Sequence, residues 1–140
     1  MPRVAGDIDL ASASTDGPKR WVLVVEDDDA VANLLDTLLS ELGCAVRVAR
    51  TGHQALEMAA GDAPSLVILD LGLPGLYGTS VGVTLRHMHP KLPLIIVSAL
   101  PDSAVAQDAW SVGAQAYFTK PFDCDQLLAK ARELIEARAR

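Results

Sequence analysis

The chain has 140 residues, half of them hydrophobic, and a formal net charge of −6. That is the mass of one domain with enough apolar side chain for its own core. Its interspersed acidic charge argues against a nucleic-acid footprint and for a protein or small-molecule partner. The longest apolar runs are strand-sized, so neither a signal peptide nor membrane insertion is expected, and the chain reads as cytoplasmic. Cys44 and Cys124 lack metal-ligand spacing and read as buried free thiols.

Residues 1–19, rich in Ala, Ser, Asp and Gly, bury too little apolar surface to offset ordering and read as a flexible tail. The folded domain is expected over 20–140. Trp21-Val22-Leu23-Val24-Val25 is a first strand running into Glu26-Asp27-Asp28-Asp29. The following helix carries Val31, Leu34, Leu35, Leu38, Leu39 and Leu42 at helical spacing and stops at Gly43. Cys44 to Ala49 alternates as a second strand, and Thr51 caps a helix from about His53 to Ala60. Leu66-Val67-Ile68-Leu69-Asp70 is an apolar run closed by Leu71-Gly72-Leu73-Pro74-Gly75, the pattern of a central parallel strand. A third helix is expected from Thr79 to about His89, ended by Pro90. Leu94-Ile95-Ile96-Val97-Ser98 repeats the central pattern. A fourth helix, capped by Asp102 or Ser103, has Val105, Ala109 and Val112 inward and Gly113 as its stop. Ala116-Tyr117-Phe118-Thr119 is the fifth strand, and Asp123 caps a last helix striped by Leu127, Leu128, Ala131, Leu134 and Ile135. Five strands alternating with five helices predict a doubly wound, flavodoxin-like α/β fold with a parallel sheet in the order 2-1-3-4-5.

In such sheets ligands bind beyond the carboxyl ends of the strands. Glu26 and Asp27, Asp70, Ser98 and Lys120 all fall there. Taken alone, Asp70 and Ser98 could simply cap turns, Glu26 to Asp29 could be a helix N-terminus rich in acids, and Lys120 before Pro121 could be a solvated surface residue. Taken together they form a site. Two unit charges at about 4 Å repel by roughly 4 kcal/mol at an effective dielectric of 20, so Glu26, Asp27 and Asp70 need a cation. A hard divalent ion such as Mg2+ suits an all-oxygen site, with Lys120 as a second positive charge. These parts describe phosphoryl transfer in which Asp70 is the nucleophile and the Ser98 hydroxyl and nearby backbone N–H groups bind the phosphoryl oxygens.

The fragments Val24-Val25-Glu26-Asp27-Asp28, Leu69-Asp70-Leu71-Gly72-Leu73-Pro74-Gly75, Val97-Ser98-Ala99 and Tyr117-Phe118-Thr119-Lys120-Pro121-Phe122 resemble the receiver domain of two-component response regulators. The likeness runs from residue 21 to about 137. It implies a single-domain, chemotaxis-regulator-like phosphoacceptor, not an enzyme, serving phosphorelay signal transduction. Asp70 would be phosphorylated by a sensor histidine kinase or histidine phosphotransfer protein. Mg2+ would be held by Asp27, Asp70, the Gly72 carbonyl and, through water, Glu26. Ser98 would move toward the phosphoryl group and Tyr117 would rotate inward. The face made by the fourth predicted helix, the fifth strand and the last helix, with Tyr117 and Phe122, would then engage a downstream protein. Trp110, off the inner stripe of the fourth predicted helix, is expected to contact that partner, since aromatic residues are over-represented at interface hot spots; the alternative is a half-buried packing role.

Gln115 and Ala116 stand where many family members carry an acidic pair, so the salt-bridged dimer that this pair builds is not expected. His87 and His89, at the end of the third helix, are given no metal or phosphotransfer role. Two other function classes have related chemistry. A haloacid-dehalogenase-like phosphohydrolase also uses an Asp nucleophile, but wants a second acid where this chain has Gly72. The other is a phosphorylation-independent interaction module of the same fold.

Overall fold

Side chains alternate across each strand, so a strand with apolar residues throughout its length must be covered on both faces. The computed structural model, which describes residues 20–72, 78–99 and 111–139, meets this requirement. The strands are β1 (Trp21–Val25), β2 (Ala45–Ala49), β3 (Leu66–Asp70), β4 (Leu94–Ser98) and β5 (Ala116–Thr119). The helices among the described residues are α1 (Asp29–Ser40), α2 (Gly52–Ala59), α3 (Gly78–Met88) and α4 (Cys124–Ala139). All strand pairs are parallel, and the order β2-β1-β3-β4-β5 is the expected 2-1-3-4-5.

Trp21, Leu23, Val25, Val67, Leu69, Leu94 and Ile96 face one side of the sheet and pack with Ala55 and Ala59 of α2 and Val81 and Leu85 of α3. Their neighbours Val22, Val24, Leu66, Ile68, Ile95 and Val97 face the other side, against Leu35 and Leu39 of α1 and Leu127, Ala131 and Ile135 of α4. The fully buried β1, β3 and β4 form the middle of the sheet. On the edge strand β2, Val46 and Val48 are half-buried and pack on the α1/α4 side. The Arg47 guanidinium lies 5.0 Å from the centre of the Trp21 ring, a cation–π contact that covers this edge.

Helix ends follow local chemistry. Asp28 caps α1 by accepting from the Val31 N–H, and Thr51 caps α2 by accepting from the Gln54 N–H. Asp123 accepts from the Gln126 N–H at the start of α4. Gly43 and Gly113 have φ of 78° and 73°, left-handed values that cost glycine little and most residues more. α2 and α3 each run one residue earlier than the predicted His53 and Thr79, within ordinary fraying of helix ends.

Three expectations need correcting or fall elsewhere. Leu34, placed on the inner stripe, is 41 % exposed, and Ala32 takes that place inside. Leu34 lies about 100° round the helix from the fully buried Leu35, at the margin of the apolar stripe, whereas Ala32 lies just under one turn before Leu35 on the buried face. Cys44 is buried, whereas Cys124 is only half-buried because it opens α4; both are free thiols. Burial pushes the Cys44 thiol pKa up. The tail 1–19 and most of the fourth predicted helix lie outside the described residues.

Leu35→Ala, which empties a buried position, is expected to lower unfolding stability by about 2–5 kcal/mol. Leu34→Ala one residue away should change it by less than about 0.5 kcal/mol. Urea denaturation of the two variants measures the contrast.

Candidate phosphoacceptor site

Each candidate side chain is delivered by a strand end. The pairing of β1 with β2 continues past Val25 through a Glu26 N–H to Ala49 carbonyl bond of 2.9 Å, and that of β3 with β4 continues through Leu71 N–H to Val97 carbonyl at 3.2 Å. The register Val25↔Leu69 therefore sets the next residues, Glu26 and Asp70, side by side at the sheet's carboxyl edge. At the far end of the site, Ser98 pairs with Thr119, and the Lys120 N–H donates to the Ser98 carbonyl at 2.7 Å. That bond begins the β5 loop beside β4, and the Lys120–Pro121 peptide in it is cis.

The Lys120 ammonium lies between two carboxylates, 2.7 Å from Glu26 Oε1 and 3.1 Å from Asp70 Oδ2. Glu26 is fully buried and Asp70 is 5 % exposed, while Asp27 stands in solvent. Oxygens of Glu26, Asp27 and Asp70 all fall within 4.8 Å of one another. Two backbone amides also point into the cluster. Asp28 N–H donates to Glu26 Oε2 at 3.1 Å and Gly72 N–H to Asp70 Oδ1 at 2.9 Å.

Burial is the largest influence on the Glu26 carboxyl and raises its pKa above the ordinary 4.5, although the close Lys120 ammonium and the hydrogen bond from the Asp28 amide oppose it. For Lys120, burial acts to lower the pKa, and the bonds to Glu26 and Asp70 outweigh it, leaving the ammonium above its ordinary 10.5. Both shifts state one fact. The acids hold the ammonium charged, and the ammonium only partly compensates the desolvated Glu26. The Glu26 Oε1 atom sits at ion-pair distance from Lys120 but has no aligned hydrogen bond among the described residues. A buried, under-satisfied carboxylate oxygen beside two further acids is the donor set a hard cation takes.

The structure thus brings together Glu26, Asp27, Asp70, Gly72 and Lys120, with Ser98 buried one residue beyond the partner of Asp70. Tyr117, opposite Ile96 in the register, is half-buried against the α2/α3 core, whereas Phe122 packs into the α1/α4 core. Tyr117 and Phe122 therefore lie on opposite sides of the sheet. Trp110 lies outside the described residues.

Sequence reasoning missed three partners. Arg50, just after β2, pairs with Asp29 at the start of α1; charges this far apart in sequence carry no local signal. His89 donates from Nε2 to the Ala59 carbonyl at 2.7 Å, joining the ends of α2 and α3. Gln115, noted only for replacing an acid, accepts from the Leu94 N–H at 2.7 Å and donates its own N–H to the Leu94 carbonyl at 2.9 Å. It thereby extends the β4–β5 ladder.

A parallel sheet in this order, with an acid trio at its carboxyl edge and a lysine following the fifth strand, defines a receiver domain. The chain belongs to the response regulator receiver domain family of two-component systems, whose pattern matches residues 22–132. It is 38 % identical over 120 residues to the uncharacterized transcriptional regulatory protein YkoG of Bacillus subtilis, covering 84 % of this chain and 51 % of that protein. It is also 38 % identical over 114 residues to the response regulator MprA of Mycobacterium ulcerans, covering 81 % and 49 %. The chain thus spans about half the length of these curated relatives. Among solved structures it is similar to a CheY-like receiver domain from Methanospirillum hungatei, with a TM-score of 0.80, 25 % identity, and coverage of 86 % and 97 %. The receiver domain of DrrB, activated with BeF3, gives a TM-score of 0.78 at 27 % identity and coverage of 85 % and 99 %. This membership does not favour the phosphohydrolase alternative. No helix among the described residues is long and apolar enough to cross a membrane.

Lys120→Met leaves Glu26 and Asp70 facing each other without the ammonium, and is expected to cost about 3 kcal/mol near neutral pH. Because the folded Glu26 pKa is raised above 4.5, the folded state binds this proton more tightly than the unfolded one. Ionising Glu26 therefore removes stability as pH rises through the raised value. The deficit of Lys120→Met should shrink as pH is lowered toward 4.5. Urea midpoints across that range measure it, and a deficit independent of pH would contradict the pairing.

Proposed function

We propose that Asp70 accepts a phosphoryl group from a phosphohistidine on a sensor histidine kinase or histidine phosphotransfer protein, in the cytoplasm, and that the domain thereby switches contacts with a downstream protein. The observation that carries this reading is the Lys120 ammonium held at 2.7 Å and 3.1 Å between a buried Glu26 and the acceptor Asp70. A lysine in that place neutralises the acids in the resting protein and lies within reach of phosphoryl oxygens on Asp70.

In the transfer, an Asp70 carboxylate oxygen forms a bond to phosphorus while the phosphorus–nitrogen bond of the donor breaks, and the electron pair leaves with the imidazole. The Gly72 N–H, already directed at Asp70 Oδ1, and the Ser98 hydroxyl supply hydrogen-bond donors to the phosphoryl oxygens. Lys120 exchanges its carboxylate partner for a phosphoryl oxygen. Asp27 and Asp70, with Glu26 through water and the Gly72 carbonyl, would hold Mg2+, which when bound supplies positive charge to the transferring oxygens. Ser98 and Tyr117 are the residues through which the charge change reaches the surface. Tyr117, Phe122 and Trp110 contribute to the partner face, with Tyr117 and Phe122 approaching it from the two sides of β5. The domain is a phosphoacceptor and turns over no substrate of its own.

Purified protein exposed to acetyl phosphate and Mg2+ is expected to gain the mass of one phosphoryl group. Asp70→Asn, and wild type with the metal chelated, should gain none. An adduct that persists in Asp70→Asn would move the acceptor elsewhere.

A further inference from the structure

Arg86, in the last turn of α3, makes four hydrogen bonds to backbone carbonyls among the described residues. Its Nη1 donates to the Pro90 carbonyl at 3.0 Å and the Leu92 carbonyl at 2.6 Å. Nη2 donates to the Gly113 carbonyl at 2.9 Å, and Nε to the Val112 carbonyl at 3.4 Å. Among the described residues its partners are backbone carbonyls and not carboxylates, so the guanidinium acts as a multi-pronged donor and not as half of an ion pair. It bridges the turn leading into β4 and the turn leading into β5.

A second observation places the same junction under tight packing. A Cβ on Gly82, one turn earlier in α3, would stand 3.1 Å from Val112 Cγ1, and Val112 is buried against Val81 and Leu85. Immediately after it, the backbone and side chain of Gln115 both bond Leu94. Residues 112–115 are therefore held by α3 from one side and by the start of β4 from the other. These residues close the chain segment that begins at Ser98 and opens into β5, the strand of Tyr117.

We propose that Arg86 is a positioning residue that pins residues 112–115 to α3 and to the start of β4, so that the rearrangement a phosphoryl group sets off at Ser98 ends at Val112. This rests on the reading of Asp70 as phosphoacceptor. The pinned junction keeps the β4–β5 register, Ser98↔Thr119, unchanged between the two states. Tyr117 and Lys120 then respond by side-chain motion on a fixed strand. Without the pin, the change would run on into β5 and the placement of Lys120 relative to Asp70 would loosen.

Hydrogen-exchange mass spectrometry on the full chain, with and without acetyl phosphate and Mg2+, tests this for wild type, Arg86→Ala and Arg86→Lys. In unphosphorylated Arg86→Ala the amides of Leu94 and Gln115 are expected to exchange about tenfold faster than in wild type. Arg86→Lys, which keeps the charge and can reach some of the carbonyls, should give a smaller increase, and it carries the test if Arg86→Ala does not fold. On phosphorylation, exchange changes should stop short of residue 112 in wild type and extend through 112–116 in the variants. Changes that cross 112–116 in wild type, or that stop at the same point in every variant, overturn the proposal. A wild-type protein that gains no phosphoryl mass overturns the reading of Asp70 instead, and the boundary with it.

Discussion

Burying a carboxylate is costly unless something of opposite charge goes with it, and Glu26 is fully buried beside a second acid, Asp70. The Lys120 ammonium between them is the interaction on which the rest of the carboxyl edge depends. It explains why β5 must end next to β4 and why the Lys120 N–H bonds the Ser98 carbonyl. The site is a compromise in charge: one ammonium serves acids that would accept more, and the remaining demand for positive charge is what suits the place to a cation and to a phosphoryl group held by cations.

The two hydrophobic layers serve that arrangement. Because β1, β3 and β4 are packed on both faces, their ends have little freedom, and the acids and Ser98 are presented from rigid supports at a fixed spacing. A site on rigid strand ends is preorganised, which matters for phosphoryl transfer because the protein contributes chiefly by positioning groups and neutralising charge. The helices contribute less to the chemistry than to its framing. Asp28 shows how economical the framing is, since its side chain caps α1 while its backbone N–H bonds Glu26.

At the opposite edge of the sheet, polar contacts do the work that ion pairs do at the carboxyl edge. Arg86 gathers carbonyls from two turns, His89 joins the ends of α2 and α3, and Gln115 closes the start of the β4–β5 ladder. Burial lowers the Arg86 pKa from its ordinary value, yet guanidinium remains charged at any physiological pH. One edge is built to accept a change of charge, and the other is built from neutral carbonyls around a fixed one.

The strands, their order and the residues Glu26, Asp27, Asp70, Ser98 and Lys120 were legible from the chain alone, because short apolar runs ending in polar residues are a local pattern and parallel crossovers leave few topologies. Periodicity read Leu34 as inward because it shows which side chains are apolar and not how wide an arc of α1 the rest of the fold covers, and that width, which takes in Ala32 and leaves Leu34 out, is tertiary. The same limit hid Arg86, Gln115 and the Arg50–Asp29 pair, whose partners lie 20 or more residues away in part or in full. It also hid that Tyr117 and Phe122 pack on opposite sides of the sheet. Local pattern, then, determined which side chains reach the carboxyl edge. Only the folded chain decided their distances, because a separation such as the 2.7 Å between Lys120 and Glu26 depends on strand register and packing contributed by every layer at once.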